Sequence, residues 1–108
     1  MATPQSLLEG KTIDNVKEDF RAARRVEQYR LGAAALYLPQ GLRWGYIPLR
    51  EIRSAQASRR VISAGHCVTV REEKPAVDLQ TDAGLTTLNL ERQESVQLVL
   101  DAVAAARG

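Results

Sequence analysis

Residues 31–52, LGAAALYLPQGLRWGYIPLREI, hold two short apolar runs on either side of a strong turn signal. Ala35–Leu38 is the first run and Trp44–Leu49 the second, with Pro39-Gln40-Gly41 between them. Proline presets one turn dihedral and glycine tolerates positive φ, so this spacing predicts a β-hairpin. Trp44 and Tyr46 lie two residues apart and share one face of their strand, which points to core packing. Pro48 cannot donate to a ladder, so it marks a strand end or an edge.

Working outward, the alternation continues on both sides. Val26–Leu31, closed by Gly32, precedes the hairpin as a further strand. After it, Ile52–Ser58 reads as a strand, and 59–65 as a loop with one strand-like pair, Val61 and Ile62. Val68–Glu72 is β-branched enough to be a strand, which Lys74-Pro75 breaks. Ala76–Thr81 and Leu85–Leu90 then flank Asp82-Ala83-Gly84, a hairpin turn with glycine where φ is positive. The expected total is seven strands.

Helical periodicity brackets this set. Val96, Val99, Leu100 and Val103 form one stripe, which predicts a helix from about Arg92 to Ala106 with acids in its first turn. At the other end, Thr12 is a plausible N-cap, and Ile13, Val16, Phe20 and Ala23 recur at three- and four-residue steps over 12–25. That stripe must bury itself on this domain or on a second copy, which leaves a homo-oligomer open. Residues 1–11 show no pattern and read as a loose lead-in. The expected organisation is one domain, mainly β with helices, its core at 26–108. A bent antiparallel sheet, or two sheets packed across one another, would be plugged by the last helix.

Composition excludes several classes. With 108 residues, 44% hydrophobic and 26% charged, the chain has room for one domain and the make-up of a globular protein. The net charge of +2 is too small to imply nucleic acid by itself. Its distribution is uneven. Residues 34–65 carry five arginines against one acid, Glu51, whereas 66–108 carry four basic groups against seven acids. The single cysteine, Cys67, allows no internal disulfide and suits a reducing compartment. The first residues lack the pattern of a signal peptide, and no apolar run approaches a membrane span, so a cytoplasmic location is expected.

The hairpin segment resembles the opening of bacterial pleckstrin-homology-like (PH-like) and GRAM-like domains. Those families place a glycine, a short apolar strand (Ala35-Leu36-Tyr37-Leu38 here) and a turn before Tyr46-Ile47-Pro48-Leu49-Arg50-Glu51-Ile52. A last strand running into a helix with an acidic start, Leu88-Asn89-Leu90-Glu91-Arg92-Gln93-Glu94, fits as well. The likeness covers roughly residues 26–106; the N-terminal helix is an addition, and the tryptophan common in the last helix of eukaryotic members is missing. The resemblance implies a bent seven-stranded antiparallel barrel capped by a C-terminal helix, acting as a lipid, peptide or protein adaptor.

Chemistry-bearing sets are few. His66-Cys67 is the one pair that looks chemical, but neighbours in a strand point to opposite faces, so a structural role is favoured over a dyad. There is no other His or Cys to complete a metal site, and no glycine-rich phosphate loop. No enzyme activity, cofactor or metal is expected. The remaining candidates are Arg43, Arg50, Arg53, Arg59 and Arg60, whose planar guanidinium groups suit phosphate or carboxylate. Two functions follow. The first is a non-enzymatic adaptor for a protein or peptide, bound at a strand edge or beside the last helix. The alternative is an anionic-ligand or membrane-surface module using these arginines, with an anionic lipid ranked behind a protein partner and nucleic acid not expected.

Overall fold

The computed structural model describes residues 3–63 and 71–107. It is mainly β, with two sheets and two helices. The first sheet contains β1 (Gln5–Ser6), β2 (Arg24–Val26), β3 (Tyr29–Leu31), β4 (Ala35–Gln40) and β5 (Arg43–Pro48), in the order β1-β5-β4-β3-β2. All its pairings are antiparallel except β1 with β5. The second sheet is the antiparallel meander β6 (Ser54–Ser63), β7 (Arg71–Thr81) and β8 (Gly84–Asn89). Helix α1 (Val16–Ala22) precedes β2, a 3-10 turn at Leu49–Glu51 joins the sheets, and α2 (Gln93–Arg107) follows β8. Two sheets stand where a barrel is expected; among the described residues no closed barrel forms.

The main core lies between the sheets and under α2. Leu36, Leu38, Ile47 and Leu49 from the first sheet side meet Val77, Leu79 and Leu88 from the second. Val96, Val99 and Val103, the predicted stripe of α2, close this layer. The aliphatic residues dominate it, as the scarcity of aromatics requires. On the other face of the first sheet lies a second, aromatic cluster of Phe20, Tyr37 and Tyr46, with Ala35. Ile13, Val16, Ala23 and Trp44, each half-buried, pack against it, so the N-terminal stripe packs on its own domain.

Several expectations are corrected. The N-terminal helix spans seven residues inside the predicted 12–25, because Arg24–Val26 leave it to pair with β3. The predicted strand Val26–Leu31 is instead a hairpin, β2–β3, with Val26 opposite Tyr29. No glycine or asparagine marks its turn; Glu27 takes φ = +56°, a position glycine usually fills in a two-residue loop. The lead-in at 1–11 is not loose throughout, since β1 pairs with β5 at Gln5–Gly45 and Ser6–Tyr46, and Leu8 is buried in the core. In the β4–β5 hairpin Pro39 is a strand residue opposite Trp44, and the loop itself is Gly41-Leu42. Pro48 does close β5.

The largest corrections fall in the second sheet. The segment 59–65, expected as a loop, belongs up to Ser63 to the ten-residue β6, while Ile52 ends the 3-10 turn. Likewise Lys74-Pro75 does not break a strand, because β7 runs from Arg71 to Thr81. The reason is which side the proline nitrogen faces. In an antiparallel strand each residue aims its N–H and C=O at the same neighbour. The Pro75 carbonyl accepts from the Leu90 amide at 3.1 Å, so its nitrogen also faces the β8 side, where β8 has ended at Asn89. Pairing with β6 loses nothing. The turn into β8 keeps its glycine, with Gly84 at φ = +121°.

Candidate functional site

The five arginines singled out from the sequence are spread over the molecule. Arg43 begins β5 and lines a shallow groove with Thr3, Gln5, Leu7 and Trp44. Arg50 lies in the 3-10 turn, where its guanidinium donates to the Thr12 carbonyl at 3.2 Å and sits 3.9 Å from Glu51. Arg53 precedes β6 and holds Asp82 at 2.5 Å. Arg59 and Arg60 are consecutive in β6, on opposite faces, beside Glu73 at 3.9 Å and Glu91 at 3.4 Å respectively. Four of the five therefore have an acid beside them. His66 and Cys67 lie outside the described residues.

Ionic contacts tune two of these acids. The Arg53 guanidinium, through its hydrogen bond, holds the Asp82 carboxyl below its ordinary value. The Lys74 ammonium does the same to Glu91, with Arg60 adding to it. Both acids are at the surface, where such pairs contribute little. Among the described residues no group of three metal-ligating side chains occurs. No helix is long and apolar enough to cross a membrane.

One buried acid escaped the sequence reading. Asp19 of α1 accepts hydrogen bonds from the Ala33 and Ala34 amides at 2.9 and 3.1 Å and from the Tyr37 hydroxyl at 2.7 Å. Burial pushes the Tyr37 phenol up from its ordinary value, and the Asp19 carboxylate adds to the shift. A Cβ at Gly32 would stand 2.1 Å from the Asp19 Oδ2, so only glycine lets the carboxylate reach the turn. With its oxygens filled, Asp19 braces α1 on the sheet. Its signal in the sequence, an acid thirteen residues before a glycine-alanine loop, is too weak to find without coordinates.

The unfilled hydrogen-bonding capacity lies elsewhere, on β6. This strand ends its sheet, and among the described residues no strand flanks its outer side. The Leu90–Pro75 bond sets the parity of the whole ladder. Odd-numbered residues of β7 face β8, even-numbered ones face β6, and the register Ser58–Ala76 carries this across. The main-chain groups of Ala55, Ala57, Arg59 and Val61 therefore point outward. None of them has a hydrogen-bond partner among the described residues.

The other sheet edges are short or partly blunted, and only β8 leaves outward groups open in mid-strand, at Leu85 and Thr87, among the described residues. β1 is two residues long, and β2 is three with Arg24 and Arg25. At the end of β8, the Asn89 amide donates to the Tyr29 hydroxyl and its carbonyl accepts from Gln28. The outer edge of β7 beyond Ala76 carries Pro75, Lys74 and Glu73. Proline and charge are the usual guards of an exposed edge. The half of β6 at Ser54-Ala55-Gln56-Ala57-Ser58 has neither, and Ser54, Gln56 and Ala57 are exposed.

The same strand leaves the body of the protein. β8 pairs with β7 only over Ala76–Thr81, so residues 59–63 and 71–75 form a two-stranded arm. Val61 on this arm is 56% exposed. Comparison with family models, with curated proteins and with solved structures finds no match for the chain.

Proposed function

We propose that this chain is a non-enzymatic, PH-like interaction module that binds a protein partner by accepting a strand along β6. The observation that carries the reading is the ten-residue edge with outward groups at Ala55, Ala57, Arg59 and Val61 and no guard over residues 54–58. Strand addition supplies main-chain hydrogen bonds for affinity and alternate side-chain positions for specificity. The PH-like assignment is supported by the order of elements. With β1 set aside, a meander of four strands precedes a meander of three, and a helix covering the core follows. The arginines with acids beside them give the anion-binding alternative less support.

Amide exchange tests this reading. In the dilute chain the amides of Ala55, Ala57, Arg59 and Val61 should exchange fast, while Gln56, Ser58 and Arg60 are protected by β7. A ten-residue extended peptide selected by display against the folded chain should protect the odd-numbered set. If the selected peptides protect other amides and leave that set open, β6 is not the working edge.

A further inference from the structure

The occupant of the edge is written in its own symmetry. Resting on the strand-addition reading above, we propose that β6 pairs antiparallel with β6 of a second copy, about a two-fold axis through Ser58.

The outward groups sit on odd-numbered residues, so two copies can bond only in registers that set odd against odd. An axis through Gln56 would put Arg53 opposite Arg59, and an axis through Arg59 or Arg60 would put that arginine opposite itself. Like charges directly opposite are destabilising. An axis through Ala57 avoids the clash but draws residues 51–53, outside the strand, into the pairing. The axis through Ser58 sets 54–62 of one copy against 62–54 of the other, nearly the whole strand. Ala57 then meets Arg59, Ala55 meets Val61, and Gln56 meets Arg60. Four outward pairs give about eight hydrogen bonds, two for each.

This register also supports the arm. A two-stranded ribbon is marginal in water, and here residues 59–63 pair with 71–75 alone among the described strands, with only the Arg60 side chain reaching back to Leu90 and Glu91. In the pair, the arm of one copy lies along residues 53–57 of the other, which belong to a three-stranded body. The exposed Val61 comes to rest beside Ala55, which packs against the main core. Arg53, Arg59 and Arg60 keep their own acids, Asp82, Glu73 and Glu91. The product is a continuous six-stranded sheet, β8-β7-β6-β6-β7-β8.

Sedimentation of the full chain over a concentration series should show a dimer. Ala57→Pro removes an outward amide while leaving the β7 ladder intact, and should weaken association at least tenfold with an unchanged circular dichroism spectrum. Residues opposite at the axis lie about 4.5 Å apart at Cα, within disulfide reach. In a Cys67→Ser background, Ser58→Cys should therefore form an intermolecular disulfide in air. Gln56→Cys in that background should not, since its copy is displaced by four residues. A chain that stays monomeric, or a dimer that survives Ala57→Pro and fails to cross-link through Ser58→Cys, overturns the proposal. If a monomeric chain nevertheless shows peptide-dependent protection of its odd β6 amides, the second copy is excluded and strand addition stands. If neither occurs, both fall.

Discussion

The two sheets handle their exposed surface in opposite ways. The first is covered on both faces, by the aliphatic core on one side and by α1 with its aromatic cluster on the other. There Phe20 meets Tyr37 edge-on at 4.9 Å, and the Arg30 guanidinium lies 4.7 Å from the Phe20 ring and 5.4 Å from that of Trp44. The second sheet has one face on the core and one bearing exposed Gln56, Gln80 and Thr87, with an unguarded edge besides. Stability is concentrated where hydrogen bonds are filled. Capacity for partners is left where they are not.

The sharpest way to break this contrast is to unfasten the covered side. Asp19→Ala leaves two partly buried amides and the buried Tyr37 hydroxyl without their acceptor, and should cost roughly 3–4 kcal/mol in urea unfolding. The open side offers a paired test of nearly equal chemistry. Ser58→Pro takes an inward ladder bond and should cost roughly 3 kcal/mol, while Ala57→Pro, one residue away, should cost less than about 1 kcal/mol. Equal costs would show that the ladder parity is wrong.

A smaller effect probes the join between first sheet and last helix. The Glu27 carboxylate accepts from the Glu91 and Arg92 amides at 2.8 and 3.3 Å, just ahead of α2. Glu27→Ala should cost about 1–2 kcal/mol, and Glu27→Gly less, because glycine relieves the positive φ as it removes the cap.

The pH dependence differs between regions too. Tyr37 has a raised pKa in the fold, so its contribution is complete below the unfolded phenol value of about 10 and is lost as pH rises above it. Alkaline unfolding should shift to higher pH in Tyr37→Phe. Asp82 and Glu91 have lowered values, so their contribution is present above the unfolded carboxylate range and is lost as pH falls through their folded values. Glu91→Gln should flatten the acid limb of stability slightly, and added salt should mask the difference.

Much of this fold was legible wherever periodicity and turn chemistry agree. The stripe of α2, the hairpin around Gly41 and the glycine turn into β8 all carry local signals strong enough to survive packing. The errors share one cause, that tertiary pairing decides what a local signal means. Pro75 looks like a breaker until its nitrogen is seen to face the end of β8, and Glu27 looks like a strand residue until its carboxylate is found on the amides just ahead of α2. The candidate site was less legible still. Arginines could be listed from the sequence, but an open edge is a property of what fails to lie beside a strand, and no residue type encodes that.

The grip of Glu27 on the amides of Glu91 and Arg92 spans 64 and 65 positions along the chain. A helix whose entry is held by so distant a group gains little from forming early. Its nucleus should be closed by the β2–β3 turn, after the intervening strands have met, and loop-closure entropy then slows the step. The order of assembly would run from the hairpins inward, with α2 arriving last as the latch of a nearly finished core.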